Sequence, residues 1–232
     1  MTTIQDAEFG EIVIRRTSRA SRVRIRIGTD GRYVASAPRY TPIFFITRMI
    51  ASSRDELRKL ATHSSGPSNY HDKQSVGRTH TLAVVPTGMV AQPTVRIERN
   101  RIIVLLPNSH LLEDRVVQQL IRDNVAKVLR KEAKIYLPSR LAAIAAQYEF
   151  TYERVHFRHS GGRWGSCSST GTISLNIALM KLSDELIDYV LAHELSHTRH
   201  MNHSSAFWQQ VSAIDPHYKL HRRQLARETP TV

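Results

Sequence analysis

The chain has 232 residues, 41% hydrophobic and 23% charged, with ten glycines and nine prolines. That is an ordinary globular composition with room for one sizeable domain or two small ones, and it excludes a wholly disordered, collagenous or fibrous protein. Thirty-three Lys and Arg against twenty Asp and Glu leave a formal charge of +13, and the single cysteine, Cys167, excludes a disulfide scaffold or a Cys-rich zinc module. Twelve histidines are the second anomaly beside the charge.

The opening MTTIQDAEFGEIVIRR is acidic before it is basic and lacks the apolar centre of a secretory signal. No apolar run approaches the ~18–20 residues of a membrane span. A cytoplasmic location and no membrane partner are therefore expected. Apolar residues alternate along 11–38 at Ile12, Ile14, Val23, Ile25, Ile27, Tyr33 and Ala35, with breaks at Thr17–Ser21 and Thr29-Asp30-Gly31. Asp-Gly between alternating runs is a hairpin signal. The segment predicts two or three antiparallel strands, one face apolar and the other carrying Arg22, Arg24 and Arg26.

Thr41-Pro42 reads as an N-cap and first residue of a helix from about Ile43 to Leu60, followed by a turn-rich loop. Residues 79–85, 94–98 and 101–106 read as strands, the last stopped by Pro107. From Leu111 to about Tyr136, Leu112, Val116, Leu120, Val125, Val128 and Leu129 recur at helical spacing. Pro138 is expected to break or kink that helix before a second segment reaching Tyr148. Residues 1–149 carry 24 basic against 13 acidic residues, and 150–232 only nine against seven. The pattern is α+β: an antiparallel β-rich, basic N-terminal region with one helix (1–107) and a second domain (108–232) that holds the chemistry.

In that second part GGRWGSC, SSTG and TISLNIAL read as strand, turn and strand. Such a hairpin offers Arg163, Trp164, Gly165, Ser166 and Cys167 as an edge on which an extended substrate lies, or it is purely structural. Cys167 has no partner at metal-ligand spacing and reads as a small packed side chain. Behind the hairpin, DELIDYVLAHELSHTR has Ser183 as N-cap and acids in its first turn. Ile187, Leu191, Leu195 and Thr198 form its core stripe. His193 and His197 are one helical turn apart on another face, with Glu194 beside the first.

This is H-E-x-x-H, in which two imidazoles hold zinc and the glutamate acts as general base on the attacking zinc-bound water. A catalytic zinc needs a third protein ligand. His200 lies about 7.5 Å along the axis beyond an ion held by the pair, too far to bind comfortably. His203 reaches it if the helix ends and the chain turns back, and Asn202 is a residue that favours such a stop. His203 is taken as third ligand, with His200 facing solvent or supporting a ligand. The spacing equals that of metzincins, but His200 stands where their glycine would be.

The motifs R-W-G-S-C-S (Arg163 to Ser168), S-L-N (Ser174 to Asn176), D-Y-V-x-A-H-E-L-S-H (Asp188 to His197) and H-M-N-H-S-x-x-F-W (His200 to Trp208), with the closing Asp215-Pro216-His217-Tyr218, resemble the YgjP-type metallopeptidases, relatives of the SprT and WLM zincin-like proteases. The resemblance is tight over about 158–220 and looser in the basic N-terminal segment. It departs at Ser160-Gly161-Gly162, where members more often carry a basic residue. It implies a zincin-like core, one Zn2+ per chain on His193, His197 and His203, and Glu194 as catalytic base in peptide-bond hydrolysis of a protein or peptide substrate. In that scheme Tyr218 is a second oxyanion donor or a packed aromatic, and Asp215 orients a zinc histidine or does not touch the site.

Because SprT and WLM proteins act on DNA-bound proteins, the resemblance also raises DNA as a partner, contacted through Arg22, Arg24 and Arg26. The plainer readings are a solvated strand face or an acidic protein partner. Stacking aromatics near those arginines are few, namely Tyr33 and Tyr40. The competing class is a non-catalytic nucleic-acid-binding module with a structural zinc, which would have no use for Glu194.

Overall fold

The alternating segment near the N-terminus and the helical periodicity after residue 110 fall into separate compact units, Met1–Ser68 and Asn69–Val232, in a computed structural model that describes residues 2–18, 20–27, 33–63 and 69–232. The division at Ser68 lies well upstream of the 107/108 boundary expected from the sequence. Strands 75–107 share a core with the long helix that follows them, because Leu82, Ile102 and Val104 pack with Val117, Ile121 and Val125. No helix of the described residues is long and apolar enough to cross a membrane.

The first unit is a four-stranded sheet, β1 (Thr2–Asp6), β2 (Gly10–Arg16), β3 (Arg24–Ile27) and β4 (Tyr33–Ala37), in the order β1-β2-β4-β3. β1 is an unexpected edge strand. Its sequence TTIQD has one apolar residue, Ile4, too few for a period to show. β1 pairs antiparallel with β2; within 11–38 the expectation of antiparallel strands holds for β3–β4, whereas β2 and β4 pair in parallel, Ile12 opposite Tyr33 and Ile14 opposite Ala35. The chain leaves β2 and crosses to the far edge before β4 returns between them. The Asp30-Gly31 turn lies outside the described residues.

The expected single helix is two, α1 (Ile43–Ser52) and α2 (Arg54–His63), with Pro42 rather than Thr41 at the cap position. Ile46, Ile50 and Leu57 form one core with Ile12, Ile14, Ala35 and Ala37.

In the second unit β5 (Ser75–Val76), β6 (His80–Thr87), β7 (Thr94–Glu98) and β8 (Arg101–Pro107) form a sheet in the order β5-β6-β8-β7, with β6 and β8 parallel. α3 (Arg115–Gln147) runs 33 residues, about 50 Å, and continues through Pro138. The ring deprives the carbonyl of Lys134, an exposed residue, of its usual donor. The buried stripe Leu129, Ala133, Leu137, Leu141 and Ile144 is unbroken on either side, and core packing outweighs the missing bond.

Glu132, on the buried side of α3, collects Arg78 N, Thr79 N, Thr79 Oγ1 and His80 Nδ1 at 2.8–3.2 Å. Gly77, with φ +61°, makes room for it: a Cβ there would lie 2.2 Å from Glu132 Oε2.

A second sheet of the same unit contains β9 (Arg154–Arg158), β10 (Gly165–Cys167) and β11 (Thr172–Asn176) in the order β10-β11-β9, with β10 on the edge. Ile173 and Leu175 are fully buried beneath it. A buried 3-10 turn, Ile177–Lys181, leads to α4 (Asp184–Ser196), and α5 (Ser205–Ile214) and α6 (Tyr218–Leu225) pack on α4. Arg140 and Arg78 grip Asp188 and Asp184 on the outer face of α4.

Glu132→Ala would leave four donors without their acceptor. The expected loss is about 3 kcal/mol or more of unfolding free energy, read from the urea midpoint of the full chain. A midpoint unchanged from wild type would show that the carboxylate is not what holds the β5–β6 turn to α3.

Candidate metal centre

The site is built wholly from the second unit. Ile187, Leu191 and Leu195 bury one stripe of α4, which leaves His193 and His197 on a neighbouring stripe at the open end of the helix. His197 is the C-terminal cap. There the chain tightens, with Thr198 N donating to Leu195 O and His200 N to Ser196 O. Arg199 holds the reversal from outside through Tyr148 O and Glu149 O. His203 follows, immediately before Ser204, whose hydroxyl caps α5 by accepting from Phe207 N.

One ring nitrogen from each of His193, His197 and His203 lies within 4.8 Å of the other two, and the Nε2 atoms of His193 and His203 are 3.2 Å apart. Two nitrogens at 2.0–2.1 Å from one tetrahedral zinc would be separated by ~3.4 Å, so the spacing suits that ion. The remaining nitrogen of His197, Nδ1, meets the carbonyl of His200 at 3.0 Å. As donor it fixes the tautomer that turns Nε2 toward the cluster. His200 thus contributes its main chain; its ring is not part of the cluster.

Phe207 is fully buried and touches all three imidazoles, with ring centroids 4.5–5.0 Å away. Trp208 stacks on His203, and Tyr218 stacks on Trp208. Phe207 and Trp208 were absent from the sequence-based site. Their signal is the spacing of four and five residues after His203, one turn into a capped helix.

Glu194 is buried, and its Oε2 has no hydrogen-bond partner. Burial pushes its carboxyl up to about 8 against the pull of the Arg163 guanidinium. Burial pushes His193 down to about 3, reinforced by His197, His203 and Arg222. A neutral imidazole is the form that binds a metal. Three nitrogen donors with an unpaired carboxylate oxygen beside them fit a zinc ion with an open position.

Of the strand residues, Arg163, Gly165, Ser166 and Cys167 line the cavity of about 370 Å³ over the histidines and Glu194. A Cβ on Gly165 would stand 2.5 Å from Glu194 Oε1, so only glycine lets β10 approach so closely. Trp164 lines an adjoining, more apolar cavity of about 260 Å³ with Tyr189, Val190 and Leu225. Burial and the Glu194 charge raise the Cys167 thiol to about 11, which keeps it neutral.

Asp215 is engaged elsewhere, by His221 Nδ1 at 2.7 Å and His217 N at 2.9 Å. Tyr218 backs Trp208 and lines none of these cavities. Arg22, Arg24 and Arg26 are exposed in the first unit. Tyr33, one of the two aromatics near them, is buried with its hydroxyl on Leu57 O and offers no stacking face.

Residues 21–228 match the family described as YgjP-like, metallopeptidase domain. Among solved structures, the metallopeptidase zymogen of Pyrococcus abyssi abylysin shares 26% identity with a TM-score of 0.36, over 38% of this chain and 90% of that one. That of Methanocaldococcus jannaschii jannalysin shares 19% identity with a TM-score of 0.33, over 38% and 95%. No curated protein matches.

His203→Ala is expected to weaken zinc binding by ~100-fold or more, beyond the 10–100-fold usual for an outer partner. His200→Ala keeps the carbonyl that His197 uses and should retain the metal. Zinc content after dialysis separates the two, and the reverse order would move the third ligand to His200.

Proposed function

The chain belongs to the YgjP-like metallopeptidase family, and from that premise we propose that it hydrolyses peptide bonds with one zinc ion held by His193, His197 and His203 and with Glu194 as the proton carrier. The observation that carries the proposal is the buried Glu194 carboxylate, one oxygen unpaired, beside three convergent imidazoles. A purely structural zinc would gain nothing from a desolvated acid at that place.

Zinc in such a centre supplies Lewis acidity to the scissile carbonyl and to the attacking water. Glu194 removes the proton of that water and returns it to the leaving amine. Its low-dielectric surroundings raise its affinity for a proton, and the charge of a bound zinc ion would oppose that rise. Arg163, whose positive charge acts on Glu194, moderates that affinity.

The edge strand supports an extended substrate. Asn176 N donates to Trp164 O and Ser168 N to Thr172 O, so Trp164 and Ser168 turn their backbone toward β11. By alternation the N–H and C=O groups of Gly165 and Cys167 point away from the sheet. A peptide paired there lies along the cavity over Glu194 and the histidines.

Glu194→Gln is expected to keep its zinc and lose ~100- to 10,000-fold in kcat on a cleavable peptide, and a chelator should abolish wild-type cleavage. A variant that cleaves at the wild-type rate would remove Glu194 from the mechanism. Gly165→Ala puts a methyl group against the same carboxylate, and kcat should fall while zinc content and the unfolding midpoint hold.

A further inference from the structure

We propose that the cavity on the outer face of β9, β10 and β11 is a subsite for a carboxylate of the peptide substrate, with Arg158 and Arg163 as its charge partners. The inference rests on the edge-strand peptidase reading above and adds a substrate chemistry to it. The cavity, about 600 Å³, is lined by the two arginines and by hydroxyls that include Ser160, Ser166, Ser168 and Ser174, and no acidic side chain lines it.

Neither guanidinium is hydrogen-bonded or ion-paired to a carboxylate among the described residues, although Glu194 feels the charge of Arg163. Arg78 and Arg140 of the same unit, by contrast, are held by Asp184 and Asp188. Two unspent forked donors and several rotatable hydroxyls match a carboxylate, whose two oxygens accept up to four hydrogen bonds.

Register connects this cavity to the reacting centre. Ser166 lies opposite Ser174, and Arg158 lies opposite Asn176, two residues further along β11. All four share the sheet's outer face, since side chains alternate along each strand. Gly165, by contrast, stands against Glu194 on the other face. A peptide added to β10 sends alternate side chains to the two faces, so the one beside Arg163 on the outer face meets the arginine-bearing cavity.

Arg163 lines both this cavity and the one over the histidines. The carboxylate it holds therefore belongs to a residue within about two positions of the scissile bond, at ~3.3 Å of rise per residue. An acidic side chain and a free C-terminus supply the same chemistry.

The test uses the zinc-loaded full chain and matched peptides. One pair carries Glu or Gln beside the cleaved bond with an amidated C-terminus, and one neutral pair differs only in a free or amidated C-terminus. In one of the two pairs, kcat/KM is expected to favour the carboxylate by about tenfold or more, and the responding pair identifies its source. Arg158→Glu should erase that ratio or shift it toward a Lys peptide. Arg158 is exposed, so the substitution leaves the core untouched.

The same peptides titrated against zinc-loaded Glu194→Gln report Kd without turnover. A carboxylate preference in Kd that Arg158→Glu removes would support the subsite even if nothing is cleaved, in which case the peptidase reading alone fails. Ratios near one in both pairs, in rate and in binding, or a preference that survives Arg158→Glu, would overturn the proposal.

Discussion

Two histidines one turn apart can be aimed at one ion by a helix alone, but a third ligand has to arrive from outside that helix. The centre therefore depends on turning the chain back within the five residues that separate His197 from His203. The bond between His197 Nδ1 and the His200 carbonyl performs this locally, tying the orientation of one imidazole to the backbone path that delivers another. Arg199 anchors the reversal to the end of α3, and Ser204 starts α5 directly after His203. The reversal, the tautomer and the next helix are one arrangement.

The same compactness governs the electrostatics. Phe207 packs against all three rings, and desolvation favours the neutral, metal-binding form of His193 and His197. Glu194 shares that desolvation and holds its proton more tightly for it. β10 approaches within reach of the carboxylate because Gly165 has no side chain. In the proposed mode, a substrate strand on that edge would have its backbone next to Glu194 and its alternate side chains on the arginine-bearing face.

Strong periodic segments were legible without the structure. β6, β7, β8 and α4 fall where alternation and capping residues put them, because each carries enough apolar residues at one spacing to show a period. β1 was not legible, since an edge strand with one apolar residue has no period. The parallel pairing of β2 with β4 was not legible either, because a hairpin signal reports only the strands that flank it. Pro138 misled in the opposite sense: a local rule about one missing N–H gave way to the packing of the stripe around it.

The sequence by itself determined the spacing of His193, Glu194 and His197, since the 3.6-residue repeat of a helix places that pair whatever surrounds it. It also favoured His203 over His200 as the third nitrogen and located the excess charge in the first 149 residues. Only the tertiary structure showed the turn that brings the His203 ring to the other two, and decided that His200 serves through its carbonyl and that Asp215 is held by His221. It also decided that Arg158, from a different strand, shares a cavity with Arg163. Helical spacing is set within a few residues of chain, whereas a turn's direction and a sheet's strand order are set by packing against segments far away in sequence.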